Sequence, residues 1–158
     1  MNVTSDWYWE GNVVRVIATY LEREGWKMLG QANTLSRERG VDIQAQKGEK
    51  TLLIEAKGFP SKAYRDPRRA TELKPTNPTN QAQHWYSHAL LKVVRLQTQY
   101  PDAIVAIGLP DFPRYRALLQ ETQLGLQRLG VGVLIARESG EVDARGISTD
   151  APPDRRAE

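Results

Sequence analysis

The chain has 158 residues, 40% of them hydrophobic and 26% charged, which suits one soluble globular domain with a sizeable core. It has no cysteine, which excludes disulfides, zinc–thiolate centres and cysteine nucleophiles. No apolar run reaches the length of a membrane span and the opening lacks a secretory signal pattern, so no membrane association and a cytoplasmic location are expected; the net charge of +3 is small, and its distribution matters more than its sum.

Residues 1–6 are a polar lead-in in which Ser5 or Asp6 can cap a helix. From Glu10 to Gly25 the spacing is helical, with Val13, Val14, Ile17, Tyr20 and Leu21 on one stripe. Glu10 falls at the end of that buried face, whereas Glu22 and Glu24 fall toward solvent. Trp26 to Ala32 reads as a strand, and Asn33 to Gly40 as a loop carrying Arg37, Glu38 and Arg39. In the next stretch Val41, Ile43 and Ala45 alternate with Asp42, Gln44 and Gln46. Lys47-Gly48-Glu49-Lys50 makes a glycine turn, and Thr51 to Lys57 resumes the alternation, so a hairpin is expected.

Gly58 to Pro78 is irregular, punctuated by Pro60, Pro67, Pro75 and Pro78. From Phe59 onward it holds Lys62, Arg65, Arg68, Arg69 and Lys74 against Asp66 and Glu72, an excess positive charge equal to that of the whole chain. Tyr64 adds a stacking group. A long basic loop of this kind can grip a sugar-phosphate backbone with little sequence preference.

Thr79 or Asn80 caps a helix reaching about Gln99, with Ala82, Tyr86, Ala89, Val93 and Leu96 as its buried stripe. A second stripe holds Gln81, His84, Trp85, His88, Lys92 and Arg95. His84 and His88 lack a third ligand nearby and read as a polar helix face or a phosphate contact. Asp102 to Leu109 fits a strand buried on both faces. Asp111 and Pro113 open a helix with Tyr115, Leu118, Leu119, Thr122, Leu126 and Leu129 inside, and Gly130 closes it. Gly132 to Ala136 is a second apolar strand, joined by a right-handed crossover to a parallel neighbour. Glu141 to Arg145 is a candidate edge strand, and 150–158 has the composition of a disordered tail. This order implies an α/β domain over 1–137, a mixed sheet flanked by helices, with a polar extension over 138–158.

The hairpin carries the chemistry. Residues two apart on a strand share a face, so Glu55 and Lys57 project together and Asp42 can meet them across the turn. Two carboxylates on adjacent strands suit a hard divalent ion that prefers oxygen ligands. Such an ion polarises a phosphate oxygen and acidifies water, and a neighbouring ammonium steadies the charge that grows in the transition state.

Val41-Asp42 followed by Glu55-Ala56-Lys57 resembles the signature of the PD-(D/E)xK nucleases, and the Gly40-Val41-Asp42 opening looks most like the branch holding archaeal Holliday-junction resolvases and Mrr-type restriction endonucleases. The resemblance implies a restriction-endonuclease-like three-layer αβα core. It also implies that Asp42 and Glu55 are metal ligands, that Ala56 lends its backbone carbonyl and that Lys57 is catalytic. A Glu on the first helix often completes the metal site in that family, and Glu10 matches it. A Gln early on the helix after the Glu-X-Lys strand matches Gln81, although some relatives carry Gln-x-x-x-Tyr where this chain has Gln81-x-x-x-Trp85.

The expectation is a metal-dependent DNA endonuclease using Mg²⁺, with Mn²⁺ as a substitute. Asp42, Glu55, Ala56 and Glu10 would hold the ion, and Lys57 and Gln81 would assist catalysis. Arg37, Arg39, Lys62, Arg65, Arg68, Arg69 and Lys74 would bind DNA. Double-strand cutting would favour a homodimer. Two alternatives use the same fold: a DNA- or protein-binding module that does not cut, which has no need of the triad, and a nuclease acting on RNA.

Overall fold

The computed structural model describes residues 5–29, 40–61, 68 and 77–147. In chain order the elements are α1 (Glu10–Arg23), β1 (Lys27–Met28), β2 (Ile43–Lys47), β3 (Lys50–Ala56), α2 (Pro78–Gln99), β4 (Ile104–Pro110), α3 (Pro113–Glu121), α4 (Gln123–Leu129), β5 (Val131–Ala136) and β6 (Val142–Arg145). The strands form one six-stranded sheet in the order β1-β2-β3-β4-β5-β6. It is mixed: β3, β4 and β5 run parallel, while β1–β2, β2–β3 and β5–β6 are antiparallel.

The alternation in β3 sorts the core into two. Leu52, Ile54 and Ala56 face α1 and pack with Val13, Ile17 and Leu21. Leu53 faces the other way and packs with Ala82, Tyr86, Ala89, Val93 and Leu96 of α2 and with residues of α3 and α4. The sheet thus lies between helices, the three-layer α/β arrangement expected from the order of elements. Truncating a fully buried leucine such as Leu53 to Ala would cost about 2–5 kcal/mol, enough to threaten a domain of ordinary stability.

The hairpin turns on Gly48, whose φ of +59° is open to glycine and strained for other residues; among the described residues no non-glycine has a positive φ. Its register pairs Ile43 with Ile54 and Lys47 with Lys50.

Several boundaries differ from the sequence reading, each for a local reason. Neither Ser5 nor Asp6 caps α1. Trp9 holds that position without a side-chain hydrogen bond, and the Asp6 carbonyl instead accepts from Trp9 N and Asn12 Nδ2. β1 is two residues long, and the rest of the expected strand, 30–32, lies outside the described residues. α2 begins earlier than expected because Pro78 sits in its first turn and Asn77 Oδ1 accepts from Thr79 N. The expected single helix from Pro113 to Leu129 is split at Thr122, whose hydroxyl meets Tyr86 Oη at 2.6 Å and Leu118 O at 2.8 Å. Phe112 is the N-cap of α3, because Asp111 is engaged by Arg116 at 2.8 Å. The candidate edge strand at Glu141 to Arg145 is present as β6, which pairs with β5 beyond residue 137, and 150–158 lies outside the described residues.

Candidate active site

Asp42 stands one position before β2, and Glu55 one residue from the end of β3. Extending the register by one step past Ile43↔Ile54 sets them opposite each other on the α2 face. The geometry agrees. Asp42 Oδ2 accepts a hydrogen bond from Ala56 N at 2.8 Å, and the Asp42 and Glu55 carboxyl groups come within hydrogen-bonding reach of each other. Burial pushes the Asp42 carboxyl up to about 7, and the charges of Glu55 and Glu10 push in the same direction against the Ala56 hydrogen bond.

Glu55 is 4% exposed and meets two ammonium groups. Lys57 Nζ lies 3.2 Å from its Oε1, and Lys92 Nζ lies 2.7 Å from its Oε2. The contact at Oε2 is a close ion pair that falls outside hydrogen-bond geometry, so this buried oxygen is held by charge. The lysine side chains are 24% and 31% exposed, so both reach the mouth of the site. Lys92 also donates to the carbonyl of Gly40 at 2.6 Å.

Glu10 opens α1 and acts electrostatically on both Asp42 and Tyr115. Its position is fixed by a close backbone approach. Phe59 N donates to Tyr8 O at 3.0 Å, and a Cβ on Gly58 would fall 2.6 Å from Tyr8 O and 2.7 Å from Glu10 N. Glycine after Lys57 therefore lets the start of α1 seat against the end of β3. Stacked rings tighten the joint: Phe59 on Phe112 at 4.0 Å and Trp7 on Phe112 at 5.4 Å, with Tyr8 edge-on to Phe112 at 5.3 Å. Tyr115 donates to Gly58 O at 2.7 Å, and burial, then Glu10, pushes its hydroxyl pKa up.

The structure thus brings together Asp42, Glu55, Ala56 and Lys57, with Glu10 near enough to act on Asp42 by its charge. Gln81 lies earlier on α2 than Lys92 by roughly 16 Å of axial rise. Its Oε1 is buried and has no hydrogen-bond partner among the described residues. His84 and His88 are exposed on α2. Arg68 is exposed, while Arg37, Arg39, Lys62, Arg65, Arg69 and Lys74 lie outside the described residues. Sequence reasoning gives Lys92 no role in the site. The signal available is its place on the same helical stripe as Gln81.

The donor set suits Mg²⁺, which keeps several waters and binds through one or two carboxylates plus substrate phosphate. Among the described residues no group of three His, Cys, Asp or Glu side chains forms a ready-made metal cage. An ion here would rest on Asp42 and Glu55, completed by backbone, water or substrate oxygens.

No family model matches the chain, and no curated protein matches it. Solved structures similar to it include the following two. One is an XisH family protein from Nostoc punctiforme PCC 73102, 15% identical, covering 83% of this chain and 95% of that chain with a TM-score of 0.49. The other is an fdxN element excision controlling factor protein from Anabaena variabilis, 17% identical, covering 84% of this chain and 96% of that chain with a TM-score of 0.49.

Proposed function

We propose that the chain is a Mg²⁺-dependent endonuclease that hydrolyses DNA phosphodiester bonds. The observation that carries this is the meeting of Asp42 with buried Glu55 at the end of two strands, with Lys57 Nζ 3.2 Å from the Glu55 carboxylate. Two adjacent carboxylates in a partly desolvated site each disfavour the charge of the other, beyond what the paired lysines offset. A cation-binding site gains its affinity from that arrangement.

Asp42 and Glu55 would hold the ion, aided by the Ala56 carbonyl and by Glu10. The bound ion would supply polarisation of a phosphate oxygen and an acidified water. Lys57, partly exposed beside Glu55, would orient the attacking water and offset charge developing on the phosphate. Arg37, Arg39 and the basic residues of the Phe59–Pro78 segment would draw in the sugar-phosphate backbone without reading bases. Cutting both strands of a duplex would favour a homodimer with paired sites.

The test is to offer supercoiled plasmid, branched DNA, single-stranded DNA and RNA to the purified chain, with Mg²⁺ or with a chelator. Scission of DNA in Mg²⁺ alone is expected. Scission of RNA alone would move the assignment to a ribonuclease. Retention of DNA with no scission would make the chain a binding module.

A further inference from the structure

Building on the metal-centre reading above, we propose that Lys92 is a resident counter-ion: its ammonium holds the cation's place between Glu55 and the Gly40 turn, and a divalent ion loads by displacing it. Lys57 belongs to the same strand as Glu55 and reaches Oε1 whatever the helices do. Lys92 comes from a different element. It spans from α2 to Oε2 of Glu55 at 2.7 Å and to the carbonyl of Gly40 at 2.6 Å, two residues before Asp42. One ammonium therefore neutralises the buried carboxylate and ties down the segment that delivers the second one.

The quality of the contact supports displacement. Glu55 Oε2 is buried and meets Lys92 by charge without hydrogen-bond geometry. A doubly charged ion binding that oxygen at about 2.1 Å would attract it more strongly than an ammonium does, and would repel Lys92 Nζ from the same spot. Lys92 has somewhere to go. Its side chain is 31% exposed on an unbranched flexible stem, so it can swing to the mouth of the site. There the freed ammonium would meet an incoming phosphate, so that loading the ion also arms a phosphate contact.

The experiment measures Mn²⁺ binding by calorimetry, and metal-free melting, for the full chain and for Lys92→Met and Lys92→Arg. Lys92→Met is expected to melt lower without metal and to bind Mn²⁺ at least about threefold more tightly. Lys92→Arg, which keeps the charge, is expected to recover melting but not the tighter binding. A second readout needs no variant. Reductive methylation of the wild-type chain, followed by peptide mass spectrometry, should show Mn²⁺ speeding modification of Lys92 while leaving Lys50, exposed beside the hairpin turn, unchanged. Equal or weaker Mn²⁺ binding by Lys92→Met, or methylation of Lys92 indifferent to Mn²⁺, would overturn the proposal. If Lys92→Met does not fold, the methylation result decides. Wild-type binding with an indifferent Lys92 removes the counter-ion role alone, whereas no Mn²⁺ binding by the wild type or Lys92→Met removes the metal centre with it.

Discussion

Asp42 Oδ2 accepts a hydrogen bond from the backbone N–H of Ala56 at 2.8 Å, just beyond the last paired residues of the hairpin, Ile43 and Ile54. The side chain thereby continues the ladder where the backbone of β2 has not yet begun. This anchors Asp42 across from Glu55, and it leaves the rest of the carboxyl group facing a second acid in a partly desolvated site.

That placement has a pH signature. The Asp42 carboxyl sits at about 7 in the folded chain and near its ordinary 3.8 when unfolded, so between those values the folded state holds a proton that the unfolded state has shed. Stability from this group is therefore present at the acid end of that window and is lost as pH rises toward neutrality. Asp42→Asn keeps an acceptor for Ala56 N and removes the penalty. Without metal, the variant should melt above wild type at pH 8 by a few degrees, about 1 kcal/mol once solvent screening is allowed for, and the gap should shrink at pH 5. Melting curves at both pH values check this, and a variant that melts below wild type at pH 8 counts against it.

Gly58→Ala tests the joint between α1 and β3. The added Cβ would meet backbone atoms of Tyr8 and Glu10 at 2.6 and 2.7 Å, which cannot yield as a flexible side chain would. A loss of about 1–3 kcal/mol is expected, with reduced cleavage because Glu10 is pushed away from Asp42. Gly125→Ala in α4, where nothing lies within 4 Å, is the control and should be neutral or stabilising by up to about 1 kcal/mol. Equal stability of the two variants would contradict the close approach.

Lys57→Ala should separate chemistry from binding. Lys92 still neutralises Glu55 in that variant, so the fold is expected to survive. Cleavage should fall by roughly 10²–10⁴-fold while DNA affinity, read by fluorescence anisotropy, changes little. Cleavage at the wild-type rate would remove Lys57 from the mechanism.

The basic segment should behave as a backbone grip. Replacing Lys62, Arg65 and Arg69 with Ala should weaken binding equally across DNA sequences and flatten the salt dependence, by about 0.9 in log–log slope for each phosphate that is no longer neutralised. Anisotropy titrations over a salt series measure the slope, and an unchanged slope would place the DNA elsewhere.

The parts of the fold that local pattern dictates are legible from sequence. The stripe Ala82, Tyr86, Ala89, Val93 and Leu96 is buried as its spacing requires, and the alternation in β3 sets Leu53 and Glu55 on the face that α2 covers. Lys92 is not legible as part of the site, because its contact with Glu55 depends on the depth at which α2 crosses the sheet, which helical periodicity does not encode. The break at Thr122 is hidden for a similar reason. The hydroxyl is drawn to Tyr86 on another helix, and the local sequence reads as one continuous inner face. Asp111 has the look of a cap, and the distant Asp143 explains why it is not one. Asp143 helps fix Arg116, which then engages Asp111.

The most direct test of the central claim is Mg²⁺-dependent cleavage of end-labelled DNA by wild type and by Glu55→Gln, each with and without chelator. The expected result is that wild type cuts only in Mg²⁺, while Glu55→Gln binds the same DNA and leaves it whole. Scission that persists undiminished in Glu55→Gln, or a wild-type chain that binds DNA and never cuts it in Mg²⁺ or Mn²⁺, would contradict the account.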